Sequence, residues 1–480
     1  MAKTAYDTPL TGLTLDPGSG VPLYRQLQDG LRRAVLEGRL AAGARLPSTR
    51  VLAEELAVSR NTVIAAFDQL VAEGYLEGVT GSGTRVTATL PDVYLDAGQA
   101  PPDAVFQGPG LTAVQAEPAA GRGAAFAPGM PALDAFPHDL WRRLGNRVWR
   151  GAEPALFGYG EPAGYGPLRR AVAAYLSSAR GVRCAAGQVI IVSGSQQALD
   201  LTARLLLEPG AAVLFEDPGY MGARGVLTQA RAELVPVAVD EQGMDVGAGV
   251  SARPDAAMAY VTPSCQYPLG GVLSLERRLE LLDWARRSGA WIVEDDYNSE
   301  YRYAGRPLPA LQGLDETGRV IYMSSFSKVL FPALRLGYLV LPSELVARFR
   351  VARKLTDGAA PTLTQATLTE FMAEGHFNAH VRRMRKLYMT RRDTLVAALQ
   401  NAPLPLQAAV PDSGMHLVAR LPRGRDDRAL SAAALAAGVE VSPLSVHYEK
   451  QPARGGLLFG FAGFDAAAIA AGVARLEDVI

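Results

Sequence analysis

Leu23, Leu27, Leu31 and Val35 recur every fourth residue, so a helix drawn through them carries one apolar stripe. Pro47-Ser48-Thr49 then supplies a helix start, and Leu52 and Leu56 continue the inward face. After the short turn Ala57-Val58, Ser59 is placed to cap a third helix, on which Val63, Phe67 and either Leu70 or Val71 face the core. Arg60, Asn61 and Thr62 lie in its first turn and point outward. Gly74-Tyr75-Leu76-Glu77 opens a strand, and Gly81-Ser82-Gly83-Thr84 forms a tight turn before Arg85-Val86-Thr87. Helix, helix, turn, helix and hairpin predict a winged helix-turn-helix. Such a unit sets the start of its third helix in the major groove of DNA and grips phosphates with flanking elements.

The pattern then changes twice. Between Ala88 and Ala125 no apolar period is sustained, and Pro91, Pro101, Pro102, Pro109 and Pro118 alternate with Gly and Ala. The segment reads as a linker, for which a flexible coil would predict an r.m.s. span on the order of 35 Å. From Phe126 to Ile480, β-rich runs (Val189 to Val192, Ala212 to Phe215, Trp291 to Val293) alternate with helical ones. That alternation predicts an α/β domain built on a mostly parallel sheet. The predicted division is 1–87, 88–125 and 126–480.

Composition narrows the class. A chain of 480 residues exceeds one core at roughly 100–200 residues per domain. Basic and acidic residues are equal in number, at 48 each, and they also balance between Lys3 and Arg85. No bulk field therefore announces a nucleic-acid partner. The absence of an eighteen-residue apolar run or an apolar N-terminal core predicts neither a membrane span nor secretion. Two cysteines, Cys184 and Cys265, make no disulfide framework and fit a reducing cytoplasm. Lysine is scarce: Lys3, Lys328, Lys354, Lys386 and Lys450 are the whole set.

Of these, Lys328 has a chemical setting. It follows the strand-like Tyr322-Met323-Ser324, sits beside Ser325 and Ser327, and precedes Arg335 by seven residues. A lysine so flanked suits a Schiff base beside a phosphate cup. The apolar run Val329 to Leu334 argues against a solvated lysine, and desolvation lowers an amine's pKa, as imine formation requires. Upstream, Trp291-Ile292-Val293 ends in Glu294-Asp295-Asp296-Tyr297. A carboxylate at a strand's end can hold a protonated pyridine nitrogen, and a tyrosine two residues on can reach a phenolic ring oxygen. The other reading is a structural or metal-binding acid cluster, but no histidine lies nearby, and no metal is expected. Ser193-Gly194-Ser195-Gln196-Gln197 opens an apolar helix whose N-terminal amides form a phosphate site. Tyr220, in Glu216-Asp217-Pro218-Gly219-Tyr220, offers a ring for stacking, unless the segment is an ordinary turn. His376 and His380 share a ligand-like spacing and are expected on a helix surface.

Two resemblances follow from these motifs. Leu46-Pro47-Ser48-Thr49-Arg50, Val58-Ser59-Arg60-Asn61-Thr62-Val63 and Gly81-Ser82-Gly83-Thr84 together resemble the GntR family of bacterial regulators. The resemblance implies that Arg50 and Arg60 contact DNA, that Ser48, Ser59 and Thr62 bond phosphates, and that Gly83 lets the wing approach the minor groove. Ile64-Ala65-Ala66 stands where many relatives carry another arginine, which predicts sparse base readout. The segments around Tyr159, Ser195, Tyr220, Gln266-Tyr267-Pro268-Leu269-Gly270, Asp295 and Lys328 resemble fold-type I aminotransferases across residues 126–480. The whole chain resembles the MocR subfamily of GntR regulators.

That resemblance implies pyridoxal 5′-phosphate as cofactor, with Lys328 carrying it as a Schiff base. Asp295 would pair with the pyridine nitrogen, Tyr297 with the ring phenolic oxygen, and Tyr220 would stack on the ring. Ser195, Gln196, Ser325, Ser327 and Arg335 would hold the phosphate, and Tyr159 would reach the phosphate bound by a partner subunit. It also implies a head-to-tail, domain-swapped homodimer on a double-stranded DNA operator, in the cytoplasm. Two departures matter: Cys265 replaces a frequent histidine, and Gly456 to Phe461 contains no arginine to clamp a substrate carboxylate, with Arg454 only nearby. The implied function is a transcription regulator whose effector binding is coupled to operator binding, in control of vitamin B6 synthesis. The alternatives are a working aminotransferase with an accessory winged helix, or a regulator answering an amino compound such as GABA.

Overall fold

The computed structural model describes residues 13–79, 83–88, 125–305, 309–449 and 454–479. The predicted linker falls outside them except at its two ends, and so does the tip of the wing at 80–82. Two compact units emerge, Met1–Leu111 and Thr112–Ile480.

In the first unit, α1 (Leu23–Leu36), α2 (Thr49–Glu55) and α3 (Arg60–Ala72) precede the antiparallel pair β1 (Leu76–Val79) and β2 (Gly83–Val86). The predicted starts hold. Ser48 caps α2 by accepting from the Val51 amide at 3.3 Å, and Ser59 caps α3 by accepting from the Thr62 amide at 3.1 Å. Leu27, Leu31, Leu52, Val63 and Phe67 are buried in one core. Of the open pair it is Leu70 that joins them, while Val71 stays exposed. Beyond α3 the chain turns through Gly74 at φ +81°, a conformation that disfavours side chains with a Cβ.

The second unit centres on an eight-stranded sheet. Its strands are β3 (Val189–Val192), β4 (Ala212–Asp217), β5 (Glu233–Asp240), β6 (Gly243–Met244), β7 (Met258–Val261), β8 (Trp291–Asp295), β9 (Val320–Ser325) and β10 (Gly337–Val340), in the order β3-β10-β9-β8-β7-β4-β5-β6. Strands β9, β8, β7, β4 and β5 run parallel, whereas β10 lies antiparallel between β9 and β3. Helices cover both faces, which is why β3, β7, β9 and β10 are buried at every position and read as largely apolar runs, with β9 ending in Ser324 and Ser325.

A smaller antiparallel sheet holds β11 (Gln407–Ala408), β12 (His416–Arg420), β13 (Ser442–Pro443) and β14 (Gly456–Gly460), in the order β11-β12-β14-β13. The long helix His376–Asn401 spans two cores: Phe377 and Val381 pack with the large sheet, Met384, Tyr388 and Leu395 with the small one. His380 on this helix is not a surface residue. It is buried, with Nε2 3.0 Å from the Val329 carbonyl, and burial lowers its pKa to about 4. The helix face that joins the cores carries it inward.

Candidate functional site

Strands β3, β4, β7, β8 and β9 point the same way, so their carboxyl ends share one edge of the sheet, where open α/β sheets bind ligands. A cavity of about 230 Å³ lies there. Ser195 and Gln196 enter it after β3, Tyr220 after β4, Asp295 and Tyr297 from the end of β8, and Ser325, Ser327 and Lys328 from the end of β9. Arg335 completes the predicted set, held in the left-handed region at φ +50°. Tyr159 stands apart: it is fully exposed and does not line the cavity of its own chain.

Lys328 Nζ donates to the Gly129 carbonyl at 3.0 Å. A Cβ on Gly129 would fall 2.5 Å from that nitrogen and force the lysine end to move, and the φ of +76° there also favours glycine. Asp295 is 5 % exposed; Oδ2 accepts from the Tyr260 hydroxyl at 2.7 Å, and Oδ1 is buried without a partner. Burial pushes its carboxyl up to about 7, against the pull of the Tyr260 hydrogen bond. Tyr260 is itself fixed by stacking on Phe215, with ring centroids 5.6 Å apart. The Tyr297 hydroxyl meets Cys265 Sγ at 3.6 Å, and burial raises both groups' pKa values. Gln196 Nε2 donates to the Tyr220 hydroxyl at 3.0 Å, which orients that ring.

The phosphate side is built from backbone as much as side chains. The helix Ser195–Leu206 opens after Gly194, whose φ of +105° only glycine tolerates, and a Cβ there would lie 3.6 Å from the Arg335 guanidinium. Ser325 Oγ accepts from the Ser327 amide at 3.1 Å and so shapes the turn before Lys328. Amides at a helix start, hydroxyls and a guanidinium make an anion cup.

Pyridoxal phosphate fits this donor set. It needs an anion cup, a lysine amine and a carboxylate oxygen not already engaged by the protein, and Asp295, which lines the cavity, has such an oxygen in Oδ1.

Several lining residues escaped the sequence reading: Gly129, Tyr260, Thr262, Asn298 and His416. Tyr260 sits in an apolar strand and His416 in a strand of the small sheet, so neither local pattern marks them. Tyr267 was visible in its motif but carried no assigned role; it packs edge-on against Tyr220, Tyr297 and His416. Arg454, the arginine left unplaced, does not line the cavity; it donates to the Leu421 carbonyl and, at 2.8 Å, to Gln407.

On the winged unit, Arg50 and Arg60 are exposed at the starts of α2 and α3. Arg50 Nε reaches Glu54 at 3.3 Å, and Arg60 Nε reaches Thr49 Oγ1 at 3.4 Å. Ser59 Oγ and Thr62 Oγ1 are 2.8 Å apart. Gly83 begins β2 at φ +87°, with the Arg45 guanidinium 3.6 Å from where its Cβ would be. Arg45 pairs with Arg85 across the base of the wing and was not foreseen, because it lies in an aperiodic loop.

Residues 132–476 match the aminotransferase class I and II family, and residues 23–86 match the gntR family of bacterial regulatory proteins. The chain is 44% identical to the probable rhizopine catabolism regulatory protein MocR of Rhizobium meliloti, over 97% of this chain and 95% of that one. It is 31% identical to the pyridoxine biosynthesis transcriptional regulator PdxR of Corynebacterium glutamicum, over 98% of both. Among solved structures, the α-aminoadipate aminotransferase LysN of Thermus thermophilus, complexed with N-(5′-phosphopyridoxyl)-L-leucine, shares 32% identity with a TM-score of 0.69, covering 74% of this chain and 91% of that one. A winged helix with capped reading helices, followed by an aminotransferase-like unit and matched nearly end to end by known regulators, makes this chain a member of the MocR subfamily of GntR-type transcriptional regulators.

Proposed function

We propose that this protein is a cytoplasmic, pyridoxal phosphate-binding transcription regulator in which effector binding at the aminotransferase-like unit changes operator affinity. The observation that carries the reading is Asp295: a buried carboxylate with one oxygen engaged by Tyr260 and the other open, in a cavity shared with Lys328 and Arg335. When bound, pyridoxal phosphate supplies an aldehyde and an electron-withdrawing ring. Lys328 provides the amine, with Gly129 holding Nζ in place. Asp295 holds the proton on the ring nitrogen, Tyr297 the phenolic oxygen, and Tyr220 the ring face. Ser195, Gln196, Ser325, Ser327 and Arg335 hold the phosphate, and Tyr159 serves the site of a partner subunit.

The winged unit reads DNA through Arg50, Arg60 and Gly83, with Ser48, Ser59 and Thr62 toward phosphates. With charges balanced, one head neutralises few phosphates and releases few counterions, so paired heads of a swapped dimer on paired half-sites suit it. The likeness to PdxR supports control of vitamin B6 synthesis as the regulated output.

The test is a footprint and titration on the upstream operator at fixed salt, with and without pyridoxal phosphate. Lys328→Ala should lose the yellow band and the borohydride-fixed adduct. The cofactor should then alter operator affinity in wild type alone. Arg60→Ala should weaken binding by about 1–3 kcal/mol per half-site if it reads a base. Equal affinity in wild type and Lys328→Ala, with and without cofactor, overturns the coupling, because a ligand indifferent to two states shifts neither.

A further inference from the structure

A second cavity, of about 190 Å³, lies in the same unit and shares no lining residue with the first. Three arginines converge on it from separate parts of the chain. Arg180 comes from the end of the helix Gly166–Arg180, Arg302 from the segment after β8, and Arg385 from the helix His376–Asn401. Among the described residues only Arg180 has a carboxylate partner, Asp296 at 2.8 Å. Arg385 spends Nε on the Glu300 carbonyl at 2.8 Å. The Arg302 guanidinium makes no hydrogen bond or ion pair among the described residues, and its Nε is buried without a partner. A half-buried guanidinium left in that state lacks the acceptors that buried charge requires.

The backbone holds Arg302 in place. It forms a β-bridge with Ser413, and the next amide, of Tyr303, donates to the Asp412 carbonyl at 2.8 Å. Gly305, at φ +71°, turns the chain back over the guanidinium, where a Cβ would lie 2.9 Å from Nη2. The hydroxyls of the wall are already spent as donors: Tyr175 on Glu300, Ser299 on Asp296, and Tyr303 on the Gly414 carbonyl. The donors left over are therefore guanidinium groups. Glu300 is the one carboxylate of the wall, and burial, reinforced by the charge of Asp296, pushes its carboxyl up to about 7. Near neutral pH it takes up a proton rather than oppose an arriving anion. Arg180 and Glu300 are buried, whereas Arg385 and Ala179 stand exposed and leave the cavity open to solvent on their side.

We infer that this cavity is an anion site for a phosphate group, held between Arg302 and Arg385 and separate from the cup at Arg335. Two guanidiniums without a carboxylate partner match a dianion, and their planar forks give paired hydrogen bonds to an oxyanion. A single carboxylate would leave one of the two charges unmatched. Free phosphate and a phosphate monoester share this chemistry. The site also backs onto the first one, because Asp296, the partner of Arg180, follows Asp295 in the chain.

Full-length protein is loaded with pyridoxal phosphate, freed of the excess, and titrated by calorimetry at constant ionic strength. The ligands are inorganic phosphate, glycerol 3-phosphate and acetate. At least one of the two phosphates should bind with a Kd of about 1 mM or tighter, and acetate about tenfold or more weakly. Tighter binding of inorganic phosphate identifies the free ion as the ligand, and tighter binding of the ester identifies a phosphorylated small molecule. Arg302→Gln should weaken the phosphate about tenfold or more while the yellow band persists. Ala179→Glu sets a carboxylate on an exposed helix position at the cavity and should do the same; it decides the matter if Arg302→Gln does not fold. No phosphate binding in wild type, acetate as tight as phosphate, or undiminished binding in the folded variants overturns the inference and leaves the cofactor reading untouched. Absence of the yellow band in wild type overturns the cofactor reading alone, and titration of the unloaded protein and its variants still tests Arg302.

Discussion

The two units place their functional side chains in opposite ways. In the winged unit the groups proposed to contact DNA stand in solvent, and the backbone positions them: Ser48 and Ser59 fix where α2 and α3 begin, and Arg50 and Arg60 lie in the first turns that follow. In the aminotransferase-like unit the functional groups are buried, and other side chains position them. Tyr260 holds Asp295, Gly129 holds Lys328, and Gln196 holds Tyr220. A surface site depends on local helix starts. A buried site depends on partners far apart in sequence, and each polar partner lost leaves another stranded out of reach of water.

The ion pairs give the sharpest contrast. Arg180 and Asp296 are 6% and 0% exposed at their side chains, and Asp296 Oδ2 also accepts from Tyr322 at 2.6 Å and Ser299 at 2.9 Å. Asp296→Ala should destabilise the large unit by about 3–5 kcal/mol in denaturant unfolding, because Arg180 is left charged and buried. A loss under about 1 kcal/mol would mean that the pair is solvated in solution and the contrast is false.

A smaller effect should follow from Tyr260→Phe. The Asp295 carboxyl, already near pH 7, loses the donor that favours its anion and rises further. Pairing with a protonated ring nitrogen requires that anion, so cofactor affinity should fall as the pH drops through about 7 in wild type and through a higher pH in the variant. At neutral pH the variant should bind about 1–2 kcal/mol more weakly. Fluorescence titration across pH checks this, and an unmoved midpoint would show that the hydroxyl does not govern the carboxylate.

On the winged side, Ser59→Ala removes the cap of α3 and should cost about 1 kcal/mol of that unit's stability. Operator affinity should decline with it, while the spectrum of the loaded cofactor site stays unchanged. Smallest of all, Glu54→Ala breaks the exposed pair with Arg50, at 80% and 69% side-chain exposure, and should leave melting within about 0.5 kcal/mol of wild type. A larger loss there would erase the distinction between the units.

Much of this was legible before any coordinates. The apolar stripe on α1, the serine caps, the buried strands and the candidate lysine with its acid and tyrosine all announce themselves in short windows. Tyr260 did not, because a tyrosine in an apolar strand looks like core until the strand beside it is known to end in Asp295. His380 was misplaced for a related reason: its helix turns two faces inward, one to each sheet, and a spacing of four residues does not say which face is free.

The sequence by itself determined the winged and the α/β unit, the order of their elements and which lysine, acid and hydroxyl side chains were candidates for a site. Local propensity, capping and burial periodicity are properties of neighbouring residues, and they survive without a fold. Only the tertiary structure decided which oxygen of Asp295 stays without a partner, which arginines are already engaged, and that Asn298 and His416 line the same cavity as Lys328. These are outcomes of pairing between segments that lie far apart in the chain, and hydrogen-bond satisfaction in a buried cavity is settled only once every competing partner is in place.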